Sequence, residues 1–158
     1  MSERESLVYL NGTFVPAAEA RVSVYDSAFL HGMAVFETVR IDAARVPHEL
    51  DLHLARLWEG CRRLRVVPKL KGEDVRAVLR ELVERNGLAP CRGRIMISRG
   101  PDAESGLSGG PTELVLLLPQ PVWPAEYRVR SVVVDPGYLS RLPVVKSSNR
   151  IESILLTE

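Results

Sequence analysis

Residues 34–41 read Ala-Val-Phe-Glu-Thr-Val-Arg-Ile, and apolar side chains recur along this stretch at alternate positions. A period of two residues is typical of a β-strand with one face in the core and one face outside it. We therefore predict a half-buried strand from Ala34 to Ile41. Phe36 and Arg40 are an even number of residues apart, so this strand presents both side chains on the same face.

Other extended segments are predicted on both sides of this strand. Leu7 to Leu10 and Thr13 to Val15 flank Asn11-Gly12, the strongest short signal for a β-hairpin turn. Downstream, three more runs have strand character: Gly93 to Arg99, Glu113 to Leu118 and Tyr127 to Val134.

Three details of these segments are predicted more finely. Leu114 to Leu118 is continuously apolar, which indicates burial on both faces of the sheet. Val22 to Tyr25 is expected to be a brief extended piece. Phe29 to Gly32 is expected to be a loop, whose glycine permits an unusual backbone turn.

Two consecutive helices are predicted between the groups of strands. The first begins near Glu49, and its apolar residues recur at the helical spacing: Leu50, Leu54, Leu57, Trp58, Cys61 and Leu64. The second follows Gly72 and ends at Asn86-Gly87, with an apolar stripe of its own: Val75, Val78, Leu79, Leu82 and Val83. The order of elements is therefore strands, two helices and strands again, joined by short connections. This order predicts an α+β fold in which an antiparallel sheet is covered by the two helices.

The end of the sequence differs in character from the rest. We expect an N-terminal α+β domain over residues 1–136 and an interdomain segment over residues 137–158. Ser147, Ser148 and Asn149 offer an N-cap to a helix beginning near Arg150. The sequence stops at Glu158 before any residue that would end this helix. We therefore expect this chain to be the front portion of a longer protein.

Composition and charge argue against several classes of protein. The 21 Lys and Arg residues nearly balance the 20 Asp and Glu residues, so there is no electrostatic case for nucleic acid. No apolar run approaches the roughly 18 residues that a membrane span needs. His31, His48 and His53 lack the grouping of a metal site, so no metal is expected. Cys61 and Cys91 have no paired spacing and follow a polar N-terminus, which indicates a reducing cytoplasm.

Lys146 is the first candidate for chemistry. It follows the apolar run Leu142 to Val145 and precedes Ser-Ser-Asn, whereas Lys69 and Lys71 lie in a polar turn. Desolvation lowers the pKa of a lysine from about 10.4, and the neutral amine attacks carbonyl carbons to form a Schiff base. The alternative is a solvated surface charge near the start of a helix.

Arg56 is the second candidate. It lies three residues after His53 on the first long helix, so both side chains share one face. The planar guanidinium of such an arginine can bind a phosphate. The alternative is a solvated polar face in which Arg56 pairs with Asp51 or Glu49.

Four motifs occur together along the chain: YDSAFLHGMAVFETVR from Tyr25 to Arg40, HLARL from His53 to Leu57, ISRG from Ile97 to Gly100, and VKSSNR from Val145 to Arg150. In order and spacing they resemble the motifs of the class IV, or fold-type-IV, pyridoxal-phosphate enzymes. That family includes branched-chain and D-amino-acid aminotransferases and aminodeoxychorismate lyase. The resemblance extends over essentially all of the chain.

This resemblance implies pyridoxal 5'-phosphate as cofactor and a role for five residues. Lys146 would form the Schiff base and move the proton between the substrate Cα and the cofactor. Arg56 would bind the cofactor phosphate. Phe36, Arg40 and Arg99 would contact the substrate. The family also implies a homodimer and a C-terminal domain that supplies the rest of the cofactor site, so we expect this chain alone to bind cofactor poorly and to be inactive.

The resemblance implies an aminotransferase that moves an amino group between an amino acid and a 2-oxo acid. An aminodeoxychorismate lyase, which forms 4-aminobenzoate and pyruvate, is the alternative within the family. The residues of the ISRG and VKSSNR motifs resemble those of the lyases. Met33 stands where the family usually has an acidic residue, which leaves the subfamily open. A non-catalytic fragment or binding module is the alternative of another class.

Overall fold

The fold is that of a computed structural model, which describes residues 6–101, 109–122, 126 and 145–148. Its strands are β1 (Leu7–Leu10), β2 (Thr13–Pro16), β3 (Ala34–Ile41), β4 (Cys91–Ser98) and β5 (Glu113–Pro119). Its helices are α1 (Ser27–His31), α2 (Leu50–Arg63) and α3 (Gly72–Asn86). Within the described residues the strands form one sheet in the order β2-β1-β5-β4-β3, and all neighbouring strands are antiparallel. The predicted α+β fold is confirmed.

The N-terminal hairpin forms where the sequence predicts it. Leu10 pairs with Thr13 across the turn, and the two turn residues, Asn11 and Gly12, have φ values of 51° and 99°. A two-residue turn with both central residues at positive φ matches the twist of the flanking strands.

The core lies between one face of the sheet and the two long helices. Every second residue of β3 contributes to it, and α2 and α3 present the apolar stripes predicted from the sequence. Its fully buried members include Val35, Val39, Ile41, Leu57, Val75, Leu79, Leu82, Ile95, Ile97 and Val115. This one-sided covering fixes which residues of each strand face the helices.

The predicted loop at Phe29 to Gly32 is wrong, because most of it belongs to the short helix α1. The Asp26 side chain accepts a hydrogen bond of 2.8 Å from the Ala28 N–H and caps this helix. Gly32, at φ 65°, ends it. Five residues are too few for the helical spacing to show in a sequence, although both capping residues were visible.

Two other details differ from the prediction. Val22 to Tyr25 forms no strand, and Val24 is 65% exposed, because no neighbouring strand pairs with this piece. Within Leu114 to Leu118 only Val115 is buried, since the helices cover one face of the sheet. The predicted strand at 127–134 and the helix from Arg150 lie outside the described residues, and the domain bounds 1–136 and 137–158 stay predictions.

Gly93 of β4 lies directly against the Leu79 side chain of α3. A Cβ atom at this position would lie 2.5 Å from Leu79 Cδ2 and 3.4 Å from Ile41 Cδ1, and both side chains are fully buried. We expect Gly93→Ala to lower the free energy of unfolding by about 1–3 kcal/mol, as overpacking of a filled core does. Urea denaturation measures this change.

Gly72→Ala is the matched control. A Cβ atom there would meet only Leu54 Cδ1, at an ordinary 3.5 Å. Its effect should stay within about 0.5 kcal/mol. Equal losses of stability in the two variants would contradict the close packing of α3 on β4.

Candidate active site

The segment that contains Lys146 lies beside β3 at the edge of the sheet. The Phe36 N–H donates to the Lys146 carbonyl at 3.0 Å, and the Ser148 N–H donates to the Ala34 carbonyl at 2.8 Å. Val35 and Ser147 form the antiparallel bridge between these two hydrogen bonds. The backbone of Lys146 is therefore held against β3 by hydrogen bonds on both sides of the bridge.

Glu37 is the central acidic group of the site. Its side chain is 0% exposed, and it lies on the core-facing side of β3, beneath α2. It accepts hydrogen bonds from Arg56 Nε at 2.5 Å and from Arg56 Nη2 at 2.8 Å. His53 Nδ1 lies 2.7 Å from Glu37 Oε2, and Lys146 Nζ lies 4.0 Å from the same oxygen. One carboxylate thus joins β3, α2 and the lysine segment.

The environment of Glu37 stabilises its ionised form. Burial alone would raise the pKa of this carboxyl group, but the hydrogen bonds from Arg56 and His53 and the charge of Lys146 outweigh burial. The net effect holds the pKa of Glu37 below its ordinary value. In return, the hydrogen bond to Glu37 raises the pKa of the Arg56 guanidinium. Glu37 and Arg56 therefore form an ion pair at neutral pH.

The side chain of Lys146 has both an apolar and a charged neighbour. Its Nζ lies 5.3 Å from the centre of the Phe36 ring, and Arg94 Cζ lies 4.7 Å from the same centre. The side chain is 39% exposed. The apolar surroundings predicted for Lys146 are therefore found only in part, because Glu37 also lies beside it.

Arg56 does not make the local pairing that the sequence offered as an alternative. Its acidic partner is Glu37 rather than Asp51 or Glu49, and Asp51 accepts a hydrogen bond of 2.7 Å from Arg76. The Arg56 side chain is 53% exposed. A guanidinium carries five N–H donors, and the bonds to Glu37 use only two of them. Nη2 also lies 3.4 Å from His53 Nδ1, whereas Nη1 makes no hydrogen bond to any residue that the structure describes and is available to an anion.

Among the candidate substrate residues, Phe36 lies beside Lys146 and Arg40 lies farther along β3. Phe36 and Arg40 share a face of β3, as the sequence predicts, and Arg40 lies directly opposite Arg92. Arg99 is exposed just after the end of β4. Across the described residues, neither Arg40 nor Arg99 makes a hydrogen bond or ion pair with Lys146. Their roles stay predictions.

Glu37 is the residue that the sequence reasoning missed. Val35, Glu37, Val39 and Ile41 occupy the same face of an alternating strand, and the other three are apolar. A carboxylate at a core position must be paired with donors, so its presence in this register was the available signal.

The described part of the chain contains neither a group of metal-binding side chains nor a helix that could span a membrane. It contains no group of three or more His, Cys, Asp or Glu side chains arranged to hold a metal ion. None of its helices is long and apolar enough to cross a membrane.

Residues 34–157 match the family model for amino-transferase class IV, and this range includes β3, α2 and Lys146. This chain belongs to the class IV aminotransferases. The resemblance of the four sequence motifs is thereby confirmed.

Three relatives of this class IV aminotransferase chain illustrate its place in the family. It is 33% identical, over 94% of its length, to a putative branched-chain-amino-acid aminotransferase of Methanocaldococcus jannaschii, and it covers 53% of that protein. It is 27% identical to the aminodeoxychorismate lyase of Bacillus subtilis, covering 58% of this chain and 31% of the lyase. It superposes with a TM-score of 0.76 and 25% identity on a branched-chain amino acid aminotransferase (T.th.) solved with pyridoxamine 5'-phosphate. That match covers 96% of this chain and 54% of the solved enzyme. The chain spans about half the length of the Methanocaldococcus jannaschii relative and of the solved enzyme.

The buried ion pair generates a prediction about acid stability. A carboxyl group whose folded pKa is lowered stabilises the fold above its unfolded pKa, near 4.5, and this contribution is lost as the pH falls toward the lowered folded value. At pH 7 we expect Glu37→Gln to lower the free energy of unfolding by about 1.5–3 kcal/mol, the range for hydrogen bonds to charged groups. The difference should shrink below pH 4.5. Urea denaturation at several pH values measures both effects.

Glu59→Gln is the control for this experiment. Glu59 also has two arginine partners, Arg62 and Arg63, whose hydrogen bonds lower its pKa to about 2, but it lies on the surface. Water screens such pairs, so its substitution should cost less stability than that of Glu37. An equal or larger cost at Glu59 would show that burial of Glu37 has no special effect.

Proposed function

We propose that the full-length protein is a pyridoxal-phosphate-dependent aminotransferase that moves an amino group between an amino acid and a 2-oxo acid. One observation carries the proposal. A lysine held by its backbone against an edge strand lies next to a buried carboxylate that also binds an exposed arginine. Membership of the class IV aminotransferases gives this cluster its chemical meaning.

The described residues fit pyridoxal phosphate. The cofactor carries an aldehyde and a phosphate, so it needs a primary amine and an anion-binding group. Lys146 would hold the aldehyde end, and the unused donors of Arg56 would hold the phosphate. When bound, the cofactor supplies an electron sink that weakens the bonds at the amino-acid Cα. The solved branched-chain enzyme, which contains pyridoxamine 5'-phosphate, supports this assignment.

Each protein group in the cluster has a separate task. Glu37 fixes the guanidinium fork of Arg56 through two hydrogen bonds. It also attracts the Lys146 ammonium group across 4.0 Å, which keeps that side chain near the cluster. In its neutral amine form, Lys146 Nζ would accept the proton from the substrate Cα and later return it. Phe36 provides an apolar wall beside this nitrogen.

Substrate recognition is assigned to arginine as well as to Phe36. Guanidinium groups bind carboxylates with two parallel hydrogen bonds. Arg40 shares the strand face of Phe36, and Arg99 is exposed beyond β4. We assign both to the carboxylates of the amino acid and the 2-oxo acid.

Similarity to the Bacillus subtilis lyase favours aminodeoxychorismate cleavage as the second candidate. The two activities differ in their products. Release of pyruvate and 4-aminobenzoate from aminodeoxychorismate, without a 2-oxo acid, would identify the lyase. Formation of a new amino acid that requires a 2-oxo acid would identify the aminotransferase.

A reducing, cytoplasmic location is proposed with this function. Cys61 and Cys91 are free, buried thiols. Burial raises the pKa of Cys61 to about 11, so it does not form the reactive thiolate.

Lys146 is expected to be the residue that binds the cofactor covalently. After incubation of the full-length protein with pyridoxal phosphate, borohydride reduction and peptide mapping should label Lys146. Lys146→Ala should lose the label and the activity together. Label on Lys69 or Lys71, or an active Lys146→Ala variant, would refute the assignment to Lys146, whereas a full-length protein with neither label nor activity would favour a non-catalytic module.

Arg56 is expected to contribute to cofactor affinity. A charge-assisted hydrogen bond contributes about 1.5–3 kcal/mol, so Arg56→Ala should weaken the cofactor affinity by about tenfold or more. Arg62→Ala, a change of an exposed arginine on the same helix, is the control and should leave the affinity unchanged. Titration of the absorbance spectrum compares them, and equal affinities would return Arg56 to a purely structural role.

A homodimer is proposed from the apolar surface around α1. Val24, Tyr25, Phe29 and Leu30 are 45–75% exposed and lie within seven residues of one another. Clustered apolar side chains mark association surfaces. Light scattering should show a dimer that Phe29→Glu weakens, whereas Val67→Glu, at a position 81% exposed between α2 and α3, should not change it. A monomeric parent protein would refute the proposal.

A further inference from the structure

A second site lies at the other end of β3. A cavity of about 240 Å³ separates α3 from the connection between β3 and α2. Its accessible apolar floor is formed by Val46 and Pro47, because the other apolar residues that line it, Ile41, Leu79 and Val83, are at most 2% exposed. Ile41 is six residues along the strand from Val35, where the lysine segment binds. At about 3.3 Å per residue this separation is roughly 20 Å, so the cavity is distinct from the Lys146 cluster.

Three arginines line the cavity with these apolar residues. Arg76 and Arg80 come from one face of α3, and Arg45 comes from the connection. Arg76 donates to Asp51 at 2.7 Å. In the described part of the chain, no acidic side chain pairs with Arg45 or Arg80. Two cationic groups therefore adjoin an apolar floor without a counter-charge.

The backbone holds Arg45 in a defined position. Its φ of 65° is uncommon for a residue other than glycine. Its N–H donates to the Asp42 carbonyl at 3.0 Å, and the Asp42 side chain accepts a hydrogen bond of 2.9 Å from the Val46 N–H. A turn fixed in this way presents the guanidinium at a lower entropic cost than a free loop would.

We propose that this cavity binds a small amphipathic carboxylate, with its charged end between Arg45 and Arg80 and its aliphatic chain against Val46 and Pro47. The guanidinium fork matches the geometry of a carboxylate. An inorganic anion would leave the apolar floor without a partner. A volume of about 240 Å³ is smaller than the roughly 300–1,000 Å³ of pockets for drug-sized ligands, which suits a small acid rather than a nucleotide.

Hexanoate is the probe for the first test, with hexan-1-ol as the uncharged molecule of the same chain length. Calorimetric titration of the full-length protein should give saturable binding of hexanoate and an affinity for hexan-1-ol at least about tenfold lower. Equal affinities for the two would overturn the role of the arginines. Inorganic phosphate that binds as tightly as hexanoate would overturn the role of the apolar floor.

Variants locate the binding within the molecule. Arg45→Gln and Arg80→Gln change exposed side chains and should each weaken hexanoate binding about tenfold or more. Arg62→Gln, an exposed arginine on α2, should have no effect. Loss of binding in Lys146→Ala or Arg40→Gln with full binding in Arg80→Gln would move the carboxylate to the candidate active site and overturn the proposal.

Discussion

The burial of one carboxylate constrains this molecule more than any other contact. An ionised Glu37 is very unfavourable in an apolar core unless charged donors reach it. Arg56 and His53 meet that need only when α2 crosses β3 in the observed position. Lys146, in the segment that lies beside β3, approaches Glu37 Oε2. Correct packing of the core and correct placement of the reactive groups are therefore a single requirement.

Two other buried carboxylates have a comparable structural role. Asp26 is 0% exposed and accepts hydrogen bonds from the Ser98 and Thr112 hydroxyl groups. Glu113 is 2% exposed and accepts from the N–H groups of Lys69 and Leu70. Each acidic group joins segments that are remote in sequence, so the loops around the sheet are fixed by polar contacts as well as by the core.

Features with a local physical cause could be predicted from the sequence. The Asn11-Gly12 turn needs only two residues that accept positive φ, and the stripes of α2 and α3 need only the helical spacing. Helix α1 was missed because it is too short to show that spacing. The prediction that Leu114 to Leu118 are buried on both faces was wrong, because an apolar sequence does not reveal which face of a sheet a helix covers.

The candidate site was predicted unevenly for the same reason. Lys146 and Arg56 could be named because their motifs resemble those of a family. The pairing of Arg56 with Glu37 connects residues 19 positions apart on different elements. Spacing along a single helix cannot predict a contact between different elements. It points only to the nearer Asp51 and Glu49 as partners of Arg56.

The position of β1 has a consequence for biosynthesis. This strand lies between β2 and β5, and Tyr9 pairs with Val115. A ribosome that adds about 5–20 residues per second needs roughly 5–20 seconds to make the intervening chain. An isolated hairpin is marginally stable in water. During that interval the nascent hairpin and the apolar stripes of both long helices have no completed sheet to cover them, so the unfinished chain exposes apolar surface that favours aggregation.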